Sequence, residues 1–387
     1  MAMTEPAPAP AQIYADLGVR RVINAADTYT ALGGGRLPED VTAAMSAAAA
    51  HHVDADELLT AVGRRLAELI GAPAAHVVNG AAAGLAVSVA ACITGTDAAA
   101  VGLLPDTRDR RDEVVILASQ RNSYDRAVLA AGATLVQVGH ADSTPPWAVS
   151  AGIGPRTAAV LYFSGTQFER CAPPLPEVAE AAHAHGVPVI VDAAAQFPPV
   201  ANLTGYLDQG ADLVLFSGGK GLRGPQSTGL IVGRDDLVAA CAANSYPHHS
   251  VGRSMKTSKE NALGLLAAVE RALKLDWDGE YRRWERLLEQ YQARLDAVPG
   301  LRTWIVPTGR LGQTCPRLFF QWPQSIDATA ADVERRLADG SPAIAIGVED
   351  PRSRQAFINP YSVLPDEEEY LIEAVAAAMR ALSEGES

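Results

Sequence analysis

Cysteine is scarce in this chain. Four stand in 387 residues, Cys92, Cys171, Cys241 and Cys315, and none has a partner at CxxC spacing. That excludes a zinc ribbon and a redox pair, and it predicts free thiols in a cytoplasmic setting. No metal site is expected. Apolar runs are short as well: none reaches the ~18 residues that span a bilayer, so no membrane partner is expected. Residues 1–13 are rich in Ala and Pro and lack the basic start and apolar core of a signal peptide, so they read as a disordered tail. Positive charge is in deficit, with 32 Lys and Arg against 45 Asp and Glu, a formal net charge of −13. A general nucleic-acid surface would be basic, so no nucleic-acid partner is expected. An anionic small substrate stays open, because a local arginine cluster acts against the global sign. There is no internal repeat.

What is present describes a globular chain, 48% hydrophobic and 20% charged. Its length suits two domains, or a large α/β domain with a smaller partner. Apolar runs at Val77–Val78, Val114–Ala118, Thr134–Val138, Ala158–Phe163, Val187–Asp192, Leu213–Phe216 and Gly229–Gly233 read as buried strands, the signature of a mostly parallel sheet. From about Gly300 a different alternation begins. Arg317–Trp322 and Ala343–Val348 read as strands, Ala328–Asp339 and Asp366–Leu382 as helices, predicting a small α+β domain.

Two strand ends carry chemistry. Leu213–Phe216 breaks into Ser217-Gly218-Gly219-Lys220-Gly221, which places a lone lysine among small residues. Burial without a partner lowers a lysine pKa and makes it a nucleophile toward an aldehyde; a lysine on a solvated loop is the bland reading. The strand Val187–Asp192 ends in a single carboxylate, 28 residues earlier (220 − 192). In a parallel sheet both groups would open onto one crevice at the strands' carboxyl ends. An Asp for a pyridinium nitrogen and a Lys for an aldehyde is the pair that pyridoxal 5'-phosphate (PLP) requires. Val77-Val78-Asn79-Gly80-Ala81-Ala82 adds a strand, a small-residue turn and a helix whose first amides can hold a phosphate.

Other signals are structural on this reading. Asp54 caps a helix running to Ile70 and stopped by Gly71, which explains the acids after His51-His52 better than a metal site does. Gly33-Gly34-Gly35 is a flexible turn without the strand–GxGxxG–helix setting of a nucleotide loop. Tyr162-Phe163-Ser164-Gly165 is a further strand-end turn facing the crevice. His183 and His185 lie two apart in a last helical turn, where they do not share a face.

The stretches Arg21–Pro38, His51–Gly95, Val187–Pro199, Phe216–Arg234 and Gly252–Leu273, in this order, resemble the fold-type I PLP enzymes. Within them the chain is most similar to the branch holding bacterial selenocysteine synthase and D-glucosaminate-6-phosphate ammonia-lyase. SGGKGLRGPQ and VDAAAQFPP read like the ammonia-lyase forms. The resemblance implies a PLP-dependent transferase-like large domain over 51–275, with 14–50 near the active site, and a linking helix and small domain over 276–387. It implies that Lys220 holds PLP and serves as general base, and that Asp192 pairs with the ring nitrogen. Gly80, Ala81, Ala82 and Ser217 would hold the phosphate, and Ala194 would pack under the ring. The loop with Gln226 and Ser227 would approach the cofactor of a neighbouring subunit in a homodimer or larger even oligomer. Gln120 stands where many such enzymes place a ring-stacking aromatic or histidine, with Arg121 or Tyr124 as substitutes. Arg121, Arg223 and Arg253 are the candidate substrate-binding cations.

The implied reaction is a lyase reaction at Cα of an amino acid, α,β-elimination of a β-hydroxy amino acid of the amino-sugar acid type to a 2-keto acid and ammonia. The alternatives are another outcome of the same chemistry (racemase, aldolase, aminotransferase or β-replacement), a seryl-tRNA selenium transferase-like activity, and a binding protein that has lost catalysis.

Overall fold

The computed structural model describes residues 10–384. The tail expected over 1–13 therefore lies, for residues 1–9, outside the described residues, while Pro10–Asp16 forms a helix. The chain divides into two compact units. The larger holds residues 33–277 and 310–314; the smaller holds the chain up to Leu32, residues 278–309, and residues from 315 onward.

The larger unit is built on a seven-stranded sheet. Its strands are, in chain order, β1 (Ala74–Val78), β2 (Glu113–Leu117), β3 (Thr134–Val138), β4 (Thr157–Phe163), β5 (Val189–Asp192), β6 (Leu213–Ser217) and β7 (Gly229–Gly233). The spatial order is β1-β7-β6-β5-β4-β2-β3. Strand β7 runs antiparallel to both β1 and β6, and the other neighbours are parallel. Apolar side chains of both parities are needed because helices cover both faces. In β4 every residue is buried. Val191 and Val214 face one core; Ile190, Leu213 and Leu215 face the other.

Two helices flank β1 in the chain. Ala55–Ile70 starts at Asp54, whose carboxylate accepts the Asp56 and Glu57 amides at 3.0 and 2.9 Å, and stops at Gly71 with φ 73°. Ala81–Thr94 follows β1 directly and is buried along most of its length, from Ala83 to Thr94.

The smaller unit has a three-stranded antiparallel sheet ordered Gln355–Ile358, Arg317–Gln321, Arg302–Val306. A parallel pair joins Val22–Ala25 to Ala343–Ile346. The helices Ala330–Ala338, with a Thr329/Asp332 capping box, and Glu368–Ser383 complete its core with most of Trp277–Asp296. That last helix opens the region expected over 276–387 to hold a linking helix. No helix among the described residues is long and apolar enough to cross a membrane.

Candidate active site

The carboxyl edge of the sheet gathers the chemistry. Parallel pairing sets Asp192, the last residue of β5, beside Leu215 of β6 and Phe163 of β4. Lys220 follows three residues after β6 ends at Ser217, half-buried on a tight loop. Asp192 is 7% exposed and accepts the Ala194 amide at 3.0 Å. Burial raises its pKa above the ordinary carboxylate value; the Ala194 hydrogen bond and the positive charge of Lys220 offset part of that rise. A buried carboxylate left in this condition gains from a protonated ring nitrogen that donates to it.

The third part lies at the adjacent end of β1. Gly80 has φ 85°, a conformation glycine adopts without strain, and it opens the helix Ala81–Thr94 with no side chain capping its amides. Ala81 and Ala82 thus offer free helix-end donors to an anion. A Cβ on Gly229 of β7 would lie 2.7 Å from the Gly80 carbonyl carbon, so the returning strand passes directly against this turn. Asn79 Nδ2 donates to Lys256 O at 2.8 Å and ties the turn to the segment before Lys259–Ala272. A carboxylate, a lysine and an uncapped helix end on one strand edge match the ring nitrogen, aldehyde and phosphate of PLP. The residues present fit the group.

Several expected site residues are engaged within the protein or exposed. Gln120 is fully buried; its amide nitrogen donates to Phe163 O at 3.1 Å and its oxygen accepts Phe163 N at 2.9 Å. It stitches the turn after β2 to the end of β4. Arg121 donates to Asp125 at 2.6 Å and to Gln137 of β3 at 2.8 Å, so its fork is spent on the protein rather than on a substrate. Tyr124, its alternative, is exposed at the start of the helix Asp125–Ala130. Gln226 lies along Gly33 and Gly34 of its own chain, and Ser227 is exposed. Ser217 and Ala194 are half-buried at the strand edge.

The arginines divide. Arg223 sits on the lysine loop with φ 55°, a left-handed conformation that is strained for a residue with a side chain, and its amide donates to Lys220 O at 3.0 Å. Arg253 instead lies over the Tyr246 ring, 5.7 Å from its centroid. His183 and His185 turn apart as expected from their spacing: His183 contacts Asp212 at 2.8 Å, His185 contacts Ser150 at 2.8 Å.

A cluster beside Asp192 escaped the sequence. Ser164, the residue after β4, donates to Glu169 Oε1 at 2.7 Å and lies 2.9 Å from Tyr206 OH. The Gly165 amide also donates to Glu169 at 3.1 Å. A strand-end Ser-Gly with an acid five residues later was the available signal. Gln196 ties this turn down by donating to Ser164 O at 3.2 Å.

A family model described as L-seryl-tRNA selenium transferase matches residues 22–289. The chain is 38% identical over 369 residues to a 5'-C-glycyluridine monooxygenase-decarboxylase of Streptomyces sp, covering 93% of this chain and 90% of the relative. It is 35% identical over 263 residues to D-glucosaminate-6-phosphate ammonia lyase of Salmonella typhimurium, covering 67% and 69%. A solved D-glucosaminate-6-phosphate ammonia-lyase superposes with a TM-score of 0.83 at 30% identity, over 98% of this chain and 99% of that one. Serine palmitoyltransferase of Sphingomonas wittichii shares the fold at 14% identity, with a TM-score of 0.58 over 94% and 88%. The chain belongs to the L-seryl-tRNA selenium transferase family and is a PLP-dependent enzyme of fold type I.

Proposed function

We propose that this enzyme eliminates the β-hydroxyl from a 2-amino-3-hydroxy acid carried on a sugar-like skeleton, giving a 2-keto acid and ammonia. The observation that carries this reading is the juxtaposition of Asp192 and Lys220 on one strand edge. PLP, when bound, supplies an electron sink for the pair left at Cα when one of its bonds breaks. Asp192 holds the ring nitrogen in its protonated form, which is what makes that sink deep. Lys220 Nζ would hold the cofactor's aldehyde in the resting enzyme and would take up the Cα proton of the bound substrate. The hydroxyl then leaves as water, and hydrolysis of the resulting enamine releases ammonia. Amides of Ala81 and Ala82, with Ser217, hold the phosphate, while the Gly80 amide donates to Val78 O at 3.0 Å and shapes the turn. Arg223 supplies a planar cation for an anionic substrate group.

Both named relatives act, by their names, on an amino acid borne by a sugar unit, which supports the substrate class. The reach of the similarity to the monooxygenase-decarboxylase supports a second outcome at the same carbon. There the Cα–carboxylate bond breaks with release of carbon dioxide, and dioxygen is reduced by electrons from the substrate, one oxygen atom entering the product and the other leaving as water. The widely spaced free thiols support a cytoplasmic setting. Exposed Ile13, Tyr14, Leu17 and Val19 support association into a homodimer or larger homo-oligomer.

One experiment separates the outcomes. Holoenzyme is incubated with D-glucosaminate, its 6-phosphate and 5'-C-glycyluridine, in air and under nitrogen. Elimination predicts ammonia and keto acid in both atmospheres, weakened for anionic substrates by Arg223→Ala. Oxygen uptake with release of carbon dioxide in air alone selects the second reading. Racemisation or aldol cleavage of a plain amino acid, with neither of these, overturns both.

A further inference from the structure

Gly33-Gly34-Gly35 reads in the sequence as a flexible turn, yet it is packed against the backbone that carries Lys220. Gly35 N donates to Gly219 O at 2.7 Å, pinning the peptide immediately before the lysine. A Cβ on Gly34 would lie 2.7 Å from the same Gly219 O, and one on Gly35 would lie 3.0 Å from Lys220 O. The other side of the loop is closed too. A Cβ on Gly219 would lie 2.5 Å from Gln226 Cα, and one on Gly221 would run into Phe197 O. The lysine backbone is therefore gripped between two walls and has no room to yield.

We propose that Gly34 and Gly35 are positioning residues for Lys220: their missing side chains let the chain close on the Gly219–Lys220 peptide and fix where the Lys220 amine emerges. This rests on the reading of Lys220 as the lysine that binds PLP. The three glycines separate contact from conformation. Gly33 has φ 86° and nothing nearer its Cβ position than Gln226 Oε1 at 3.9 Å, so a side chain there strains the backbone without pressing on the loop. Gly34 has φ 76° and the close approach, so a side chain there does both. Gly35 has the close approach without a left-handed φ.

The test compares wild type with Gly33→Ala, Gly34→Ala and Gly35→Ala. Each apoprotein is checked for its melting temperature. It is then mixed with PLP, and the rate at which a borohydride-reducible bond to Lys220 forms is followed together with the pH midpoint of the bound cofactor's absorbance. A displacement approaching 1 Å at a reacting group costs as much as 10²-fold in rate, so the few tenths of an ångström required here should slow bond formation about tenfold. Gly34→Ala and Gly35→Ala should show that slowing and a displaced pH midpoint. Gly33→Ala should lose thermal stability but keep wild-type kinetics and midpoint. If Gly34→Ala does not fold, Gly35→Ala carries the test. Wild-type kinetics and midpoint in Gly35→Ala, or Gly33→Ala as slow as Gly35→Ala, overturn the proposal. If borohydride labels no Lys220 in wild type, it is the reading of Lys220 that fails.

Discussion

Two buried aspartates stand at opposite edges of the same sheet, and they are furnished differently. Asp212, just before β6, accepts Val189 N at 2.8 Å, His183 Nε2 at 2.8 Å and Arg234 at 2.9 Å. Asp192, at the end of β5, accepts the Ala194 amide and lies in the field of Lys220, and burial still leaves its pKa raised. Both are nearly inaccessible, at 5% and 7% exposure. A carboxylate surrounded by donors from its own protein has finished its work when the chain folds. One whose burial is not offset has been kept for something that arrives later. The contrast separates architecture from chemistry better than burial or residue type does.

The largest effect expected is on turnover. Asp192→Asn should cost roughly 10²-fold or more in kcat, the scale seen when a charge-stabilising group is removed. Stability should move the other way. Because the folded pKa of Asp192 is raised, its contribution is fully present below the unfolded carboxylate pKa and is lost as pH rises through the folded one. Above its folded pKa the ionised side chain destabilises the apoprotein, so at those pH values Asp192→Asn should unfold in urea no earlier than wild type. A mutant that keeps wild-type turnover would make Asp192 structural, like Asp212.

A third buried group carries the opposite sign. His76 of β1 has its Nε2 buried without a hydrogen-bond partner among the described residues, and burial lowers its pKa from 6.5 to about 4. The stability it lends is present above 6.5 and is lost as pH falls toward 4. Urea titrations across that window should show an acid loss of up to about 3 kcal/mol that His76→Leu abolishes. An unchanged slope in the mutant would show that other groups govern the acid limb.

Asp212→Asn should destabilise by about 2 kcal/mol, less than a fully buried ion pair because His183 and Arg234 are half-exposed. Turnover per folded molecule should stay at the wild-type level; a large kcat loss without unfolding would erase the contrast with Asp192. The smallest effect belongs to Arg121→Ala. Loss of its surface pair with Asp125 should cost about 0.5 kcal/mol and leave KM for anionic substrates unchanged. A raised KM would return Arg121 to the substrate.

What the sequence disclosed follows the same physics. Gly229–Gly233 matches its strand end to end because a strand buried at every residue is a continuous apolar run with sharp limits; Thr134–Val138 also matches end to end, although on this edge strand only Val138 is buried. Arg302–Val306 and Gln355–Ile358 were missed: each begins with a polar residue, and both pair with Arg317–Gln321 rather than with each other. The strand-end positions of Lys220 and Asp192 were legible because a lone charge at the end of an apolar run is conspicuous. The hydrogen bonds of Gln120 were not legible because their partner, the Phe163 backbone, lies on another strand. The glycines at 33–35 were misread for the same reason, since the carbonyl they close on belongs to Gly219. Residue type announces capacity; only the tertiary neighbour reveals how it is spent.

The central claim, that Lys220 with Asp192 forms the cofactor-binding pair, is tested most directly by borohydride reduction of purified holoenzyme followed by peptide mass mapping. The account predicts loss of the visible absorbance and a single PLP-bearing peptide modified at Lys220. A label on Lys256 or Lys259, or no label at all, would contradict it.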